Sequence, residues 1–194
     1  MMKNNIVLHV CCAPCMIYPL EELKKQDFEV SGFFYNPNIQ PFDEFEKRKN
    51  NVLEYSQQTG CAVRFDAGYD SDGFFNSFES LQIGDSRCHK CWYLRLKKTA
   101  EYAKKINAGY FTTTLLVSPY QDREMIGKLG EKVADATGIK FHFEDFSSGY
   151  RYSVEVSRAE NMYRQKYCGC LISKDEAQAQ REQRKKNKKN KGSK

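Results

Sequence analysis

Apolar and polar positions along the chain switch between a period of two and a period near 3.6. Residues 5–10 (NIVLHV) form a short apolar run that reads as a strand and ends in a cysteine loop. Pro14 suits the entrance of a helix over 16–25, and Pro19 inside that pattern is expected to bend or shorten it. Residues 28–35 (FEVSGFFY) predict a second strand, and NPNIQPFD a loop with two prolines. Asp43 is expected to cap a helix over 44–59 that stops at Gly60. Residues 61–66 alternate as a third strand. Residues 68–85, rich in Gly, Asp and Ser around Phe74, Phe75 and Phe78, predict a short helix between loops. A long helical pattern runs over 87–106, a β-rich stretch over 109–116 and a helix over 122–137 ending at Gly138. Residues 140–146 predict a last strand, and 153–163 a helix leading into YCGC. No internal repeat is present.

Strands alternating with helices predict an α/β domain with a mostly parallel sheet, spanning residues 1–173 as a single unit. In such sheets, sites form outside the carboxyl ends of the strands, where the first strand here delivers CCAPC. That turn matches neither GxGxxG nor GxxxxGK[ST], so it gives no support to ATP or dinucleotide binding. No apolar run approaches the roughly 20 residues of a membrane span. The N-terminus lacks the long apolar stretch and cleavage site of a signal peptide, which makes the cytoplasm the expected compartment.

The chain's net charge of +6 is unevenly spread. Residues 174–194 hold nine basic and three acidic side chains, so residues 1–173 are formally neutral. This tail cannot bury apolar surface and is expected to be disordered, either as a solubilising tail or as an electrostatic arm for nucleic acid.

Seven of the eight cysteines fall into three clusters: Cys11, Cys12 and Cys15 in CCAPC, Cys88 and Cys91 in CHKC, and Cys168 and Cys170 in CGC. In a reducing compartment such clusters point to metal or redox chemistry rather than disulfides. Arg87, Lys90 and Arg95 around CHKC favour thiolate over thiol. A structural zinc takes four ligands and leaves three thiols over, so an iron–sulfur site is the favoured reading, with zinc and a dithiol redox pair as alternatives. Adjacent side chains diverge in an extended segment, so Cys11 and Cys12 are expected to address different metal centres, as are Cys168 and Cys170. All three clusters are expected to converge at the carboxyl end of the sheet. Cys61 and His9 read as core residues, and His89 as solvent-facing. Thr112, Thr113, Thr114, Ser118, Tyr120 and Gln121 lie near another strand end, where polar groups can line a pocket. Tyr69, Phe74, Phe75, Tyr120, Tyr150 and Tyr152 are candidates for stacking on a base.

HVCCAPC, RCHKCWYLRLKKTAEYA, TTTLLVSPYQD and YCGC, in this order from about Val7 to Leu171, resemble the epoxyqueuosine reductases of the QueH type. The resemblance implies a Rossmann-like sheet related to the adenine-nucleotide hydrolase superfamily. It implies reduction of epoxyqueuosine to queuosine in the tRNA anticodon, with iron–sulfur dependence; the one-electron chemistry and the surplus of thiols lead to the expectation of a [4Fe–4S] cluster with an adjacent mononuclear iron or other metal. The expected partners are tRNA containing epoxyqueuosine and an external low-potential electron donor. Cysteines 11, 12, 15, 88, 91, 168 and 170 match the family's cysteine pattern as metal ligands, with Cys11, Cys12 and Tyr120 as the catalytic candidates. A tRNA- or nucleotide-binding module with a structural zinc and no turnover is the alternative.

Overall fold

The computed structural model describes residues 4–66, 68–83 and 86–191, with side chains inside the last helix described as far as residue 187. Five strands form one sheet: β1 (Asn4–His9), β2 (Phe28–Phe34), β3 (Val63–Phe65), β4 (Tyr110–Thr113) and β5 (Lys140–Phe141). They are ordered β3-β2-β1-β4-β5 and every pairing is parallel. The central position of β1 explains its apolar run. Ile6, Val7 and Leu8 are fully buried, as a strand covered on both faces requires. The chain leaves β1 toward β2 on one side and reaches β4 on the other. The order therefore reverses between β1 and β4, and a crevice opens beyond their carboxyl ends.

Among the described residues, seven α-helices connect and flank the strands: α1 (Ala13–Lys25), α2 (Phe42–Thr59), α3 (Ser71–Asn76), α4 (Arg87–Lys105), α5 (Arg123–Thr137), α6 (Tyr150–Ala159) and α7 (Leu171–Lys191). α1 begins three residues earlier than its apolar pattern indicates, because Cys12 caps it: its Sγ accepts from the Cys15 N–H at 3.3 Å. α1 also runs through Pro19, which is buried within it. The cap of α2 is Pro41 rather than Asp43, which lies in the first turn, where its charge suits the helix dipole. Gly60 ends α2 with φ +66°, a conformation that glycine adopts without strain. α6 begins at Tyr150 and the chain turns away at Asn161, so 160–163 lie outside it.

Two further elements depart from the sequence pattern. β5 stops at Phe141 instead of extending to 146: it pairs only with Tyr110 and Phe111 of β4, and the His142 N–H makes one more bond to the Phe111 carbonyl before the chain leaves the sheet. Residues 171–191 are helical where the tail is expected to be disordered. Its Ala, Gln, Glu, Lys and Arg are strong helix formers, and Gln178 bonds Glu182 one turn on at 3.1 Å.

α1 packs against α6, and their close approach depends on Gly149 at the α6 cap. A Cβ there would lie 1.9 Å from Cγ of Tyr18, at the rigid base of the ring. Gly149→Ala is therefore expected to destabilise the chain by about 1–3 kcal/mol, read as a lower urea midpoint at an unchanged m-value.

Candidate metal centre

β1 ends at His9, the chain bends at Cys11, and α1 starts at Ala13. Cys12 itself is extended, with φ −169° and ψ 161°, yet the bend at Cys11 and the helix start at Ala13 keep the neighbouring sulfurs together. Cys11 and Cys12 Sγ lie 3.8 Å apart, and the sulfurs of Cys11, Cys12 and Cys15 all fall within 4.8 Å of one another, close enough to share one ion. Cys88 and Cys91 occupy the first turn and a half of α4, and Cys168 and Cys170 a loop before α7. A cavity of about 690 Å³ is lined by Cys11, Cys15, Cys88, Cys91, Cys168 and Cys170 together, while Cys12 lies buried behind it. All eight cysteines are free thiols, and Cys61 is a core residue as its pattern indicates.

The thiols are unequal. The Thr114 hydroxyl donates to Cys11 Sγ at 3.2 Å, and Gln165 Nε2 donates to Cys12 at 2.9 Å and to Cys15 at 3.5 Å. Hydrogen bonds from Cys12 and Cys15 hold the Cys11 thiol well below its ordinary pKa, aided by Arg95 and Thr114 against the cost of burial. Cys12 rises, chiefly through burial, and Cys15 rises, chiefly through its bond with Cys11; a second charge beside the first is disfavoured. Burial pushes Cys91 up to about 12 despite the neighbouring guanidinium.

That guanidinium belongs to Arg95, which is fully buried. It donates to Asn36 Oδ1 at 2.8 Å, to His9 Nε2 at 3.3 Å and toward Cys91 Sγ at 3.9 Å. Among the described residues no carboxylate pairs with it. Burial would depress its pKa, but the sulfurs of Cys91, Cys11 and Cys168 more than offset that. A cation this deep needs nearby negative charge, and sulfur is the only candidate among the groups around it. His9 Nε2 also lies 3.2 Å from the Tyr35 carbonyl, but the permanently protonated Arg95 makes Nε2 an acceptor and puts the ring proton on Nδ1, toward Thr113.

The CGC loop is fixed from below by Arg48, which an exposed-looking stretch of charged residues hides in the sequence. Arg48 is 1% exposed, pairs with Glu44 at 2.8 Å, and donates to the Cys168 carbonyl at 2.7 Å and the Tyr167 carbonyl at 3.0 Å. Gly169 serves close approach: a Cβ there would lie 2.5 Å from Nδ2 of buried Asn38. Asn38 lines the cavity, and its Oδ1 has no protein partner.

Of the polar candidates, Thr114, Ser118, Tyr120 and Gln121 line the cavity, whereas Thr112 and Thr113 are buried away from it. Gln121 links two cluster neighbours: it accepts from Trp92 Nε1 at 3.1 Å and donates toward Cys168 Sγ at 3.9 Å. Of the aromatics, Phe75, Tyr120 and Tyr150 line the cavity, and the exposed Tyr120 meets Tyr150 edge-on at 6.1 Å. Phe74 is buried, Tyr69 packs on Phe45, and Tyr152 bonds Glu21. His89 is half-buried against Trp92 rather than solvent-facing.

Arg48→Met leaves Glu44 buried without its cation and the CGC loop without its tether. It is expected to destabilise the fold by about 3–5 kcal/mol in urea denaturation. His9 supplies a pH test. Burial, then Arg95, lowers its pKa to about 3, against 6.5 when unfolded. Between those values the unfolded chain binds a proton that the folded chain refuses, so stability falls as the pH drops below 6.5. The slope from this group approaches about 1.4 kcal/mol per pH unit. His9→Gln should flatten the decline of the urea midpoint between pH 6 and about 4.

The family model for "Epoxyqueuosine reductase QueH" matches residues 6–176. Curated epoxyqueuosine reductases QueH are similar over most of their length. The protein of Thermotoga maritima is 34% identical, with 88% of this chain and 90% of the relative covered. That of Dehalococcoides mccartyi is 34% identical over 90% and 95%, and that of Streptococcus pyogenes 35% over 88% and 71%. Among solved structures, the U34-tRNA thiolase NcsA from Methanococcus maripaludis with its [4Fe-4S] cluster aligns with a TM-score of 0.51 at 15% identity. It covers 95% of this chain and 67% of that one, a likeness of fold.

Proposed function

The chain belongs to the QueH family of epoxyqueuosine reductases, and we propose that it reduces epoxyqueuosine in tRNA to queuosine at a cysteine-held iron–sulfur site. The observation that carries this reading is the meeting of CCAPC, CHKC and CGC around one cavity at the switch point of the sheet. Converting the epoxide to an alkene takes two electrons and two protons and releases the oxygen as water. The donor set fits metal chemistry of this kind: the thiols are soft ligands, and the buried Arg95 offsets the negative charge that several thiolates bring.

We assign cysteines 11, 12, 15, 88, 91, 168 and 170 as the ligand pool for a [4Fe–4S] cluster and an adjacent mononuclear iron or other metal, since seven thiols exceed the four of a cubane. When bound, these metals supply single electrons, drawn from an external low-potential donor, and Lewis acidity toward the epoxide oxygen. The chain's own residues receive the substrate. Tyr120 and Tyr150 at the cavity mouth offer ring faces to a base turned out of the anticodon loop. The unpartnered Oδ1 of Asn38 accepts a hydrogen bond from a substrate hydroxyl or N–H. Gln121, held by Trp92, keeps the Cys168 side of the cavity in place. No helix among the described residues is long and apolar enough to cross a membrane.

Anaerobically purified protein is expected to be brown and to carry about four or more irons per chain. Each of the seven cysteines is then replaced by Ser, and iron, cluster spectrum and turnover are measured after reconstitution. Some variants should keep the spectrum yet lose about one iron and most activity. If all inactive variants lose the whole cluster together, the second metal is wrong; a colourless protein with one zinc and no turnover would favour a structural metal instead.

A further inference from the structure

α7 is a helix without a core. Leu171 and Ile172 at its base are exposed, and its later turns are polar on every side, so it is held by i,i+4 contacts rather than by packing. One stripe of it nevertheless faces the thiol cavity: Ser173, Glu176, Ala177, Gln180, Arg181 and Arg184, at the i, i+3, i+4, i+7 spacing of a single face. The charges along this wall divide into two groups. Arg87 is already engaged, lying 3.4 Å from Glu176 and 3.9 Å from Cys88 Sγ. Arg181 and Arg184 form no ion pair among the described residues; Arg181 Nε bonds only the Ala177 carbonyl of its own helix. Exposed Lys185 and Lys186 follow, and residues 174–194 as a whole carry +6 on a body that is otherwise neutral.

We propose that α7 is an RNA-phosphate clamp. Arg181 and Arg184 hold the phosphates flanking the nucleotide that enters the cavity, and the lysines beyond them follow the same strand. The planar guanidinium fork matches phosphate, and its position on the cavity wall places that charge beside the entering nucleotide rather than elsewhere on the surface. The inference rests on the reading that the substrate is an anticodon nucleotide, and adds where its backbone is held.

The test uses the full-length reconstituted protein and an unmodified anticodon stem–loop RNA, with Kd measured by fluorescence anisotropy across a salt series. Arg181→Ala/Arg184→Ala is expected to raise Kd at least about tenfold and to make the slope of log K against log salt shallower by about 1.4 units, the value for two phosphate contacts on a single strand. Arg181→Lys/Arg184→Lys should restore most of the slope. Lys104→Ala/Lys105→Ala removes the same charge from the last turn of α4, the end opposite CHKC, and should leave Kd unchanged. Equal weakening by the two alanine pairs, or an unchanged Kd and slope in the arginine pair, overturns the clamp while leaving the reductase reading intact. Wild-type protein that binds this RNA but does not turn over epoxyqueuosine RNA sinks the reductase reading and leaves the clamp standing.

Discussion

A single buried charge organises the centre of this molecule. Arg95 lies at the meeting of β1, the loop after β2 and the first turns of α4, with its donors given to His9, Asn36 and Cys91. Among the described residues no carboxylate neutralises it, so its burial is compensated by these hydrogen bonds and by the sulfurs of Cys91, Cys11 and Cys168 around it. The same guanidinium adds to burial in lowering the pKa of His9, and adds to the hydrogen bonds of Cys12 and Cys15 in lowering that of Cys11, so one side chain acts on the strand end and on the thiol loop together. Asn36, bonded on one side to Arg95 and on the other to the Val10 carbonyl at 2.8 Å, carries this arrangement into the backbone that presents the cysteines.

Much of the architecture could be read from the sequence because its cause is local. The apolar run of β1, the glycine stops of α2 and α5 and the 3.6 period of α4 all reflect which face each element buries. The length of β5 could not be read this way, since the alternation over 140–146 continues past the two residues that pair with β4. Nor could the order of α7, whose residues show no burial pattern and are helical through backbone propensity and i,i+4 contacts instead.

In the site, the cysteine clusters were legible by spacing alone, and the switch-point rule indicated where to look for them. Their supports were not. Arg48 sits in EKRKNN and looks like one more solvated cation; the only hint was Glu44 four residues before it. Gln165 and Asn38 carry no pattern, and their roles exist only because segments distant in sequence meet. The closeness of the Cys11 and Cys12 sulfurs was hidden for a related reason: Cys12 is extended, but the bend at Cys11 and the helix start at Ala13 bring three sulfurs together.

The tether between Arg48 and the CGC loop has a consequence for how the site is assembled. The sulfurs are spread from residue 11 to residue 170, so the cavity is incomplete until the chain has been synthesised past residue 170. CCAPC and CHKC are carried by elements bound into the sheet, while CGC is held by a handful of hydrogen bonds to Arg48, Gln40 and Ser173. Local opening follows the weakest set of contacts, so that loop yields before the strands do. It is thus the part of the cavity wall whose amide protons are expected to exchange first, ahead of those of the elements that carry the other two cysteine groups.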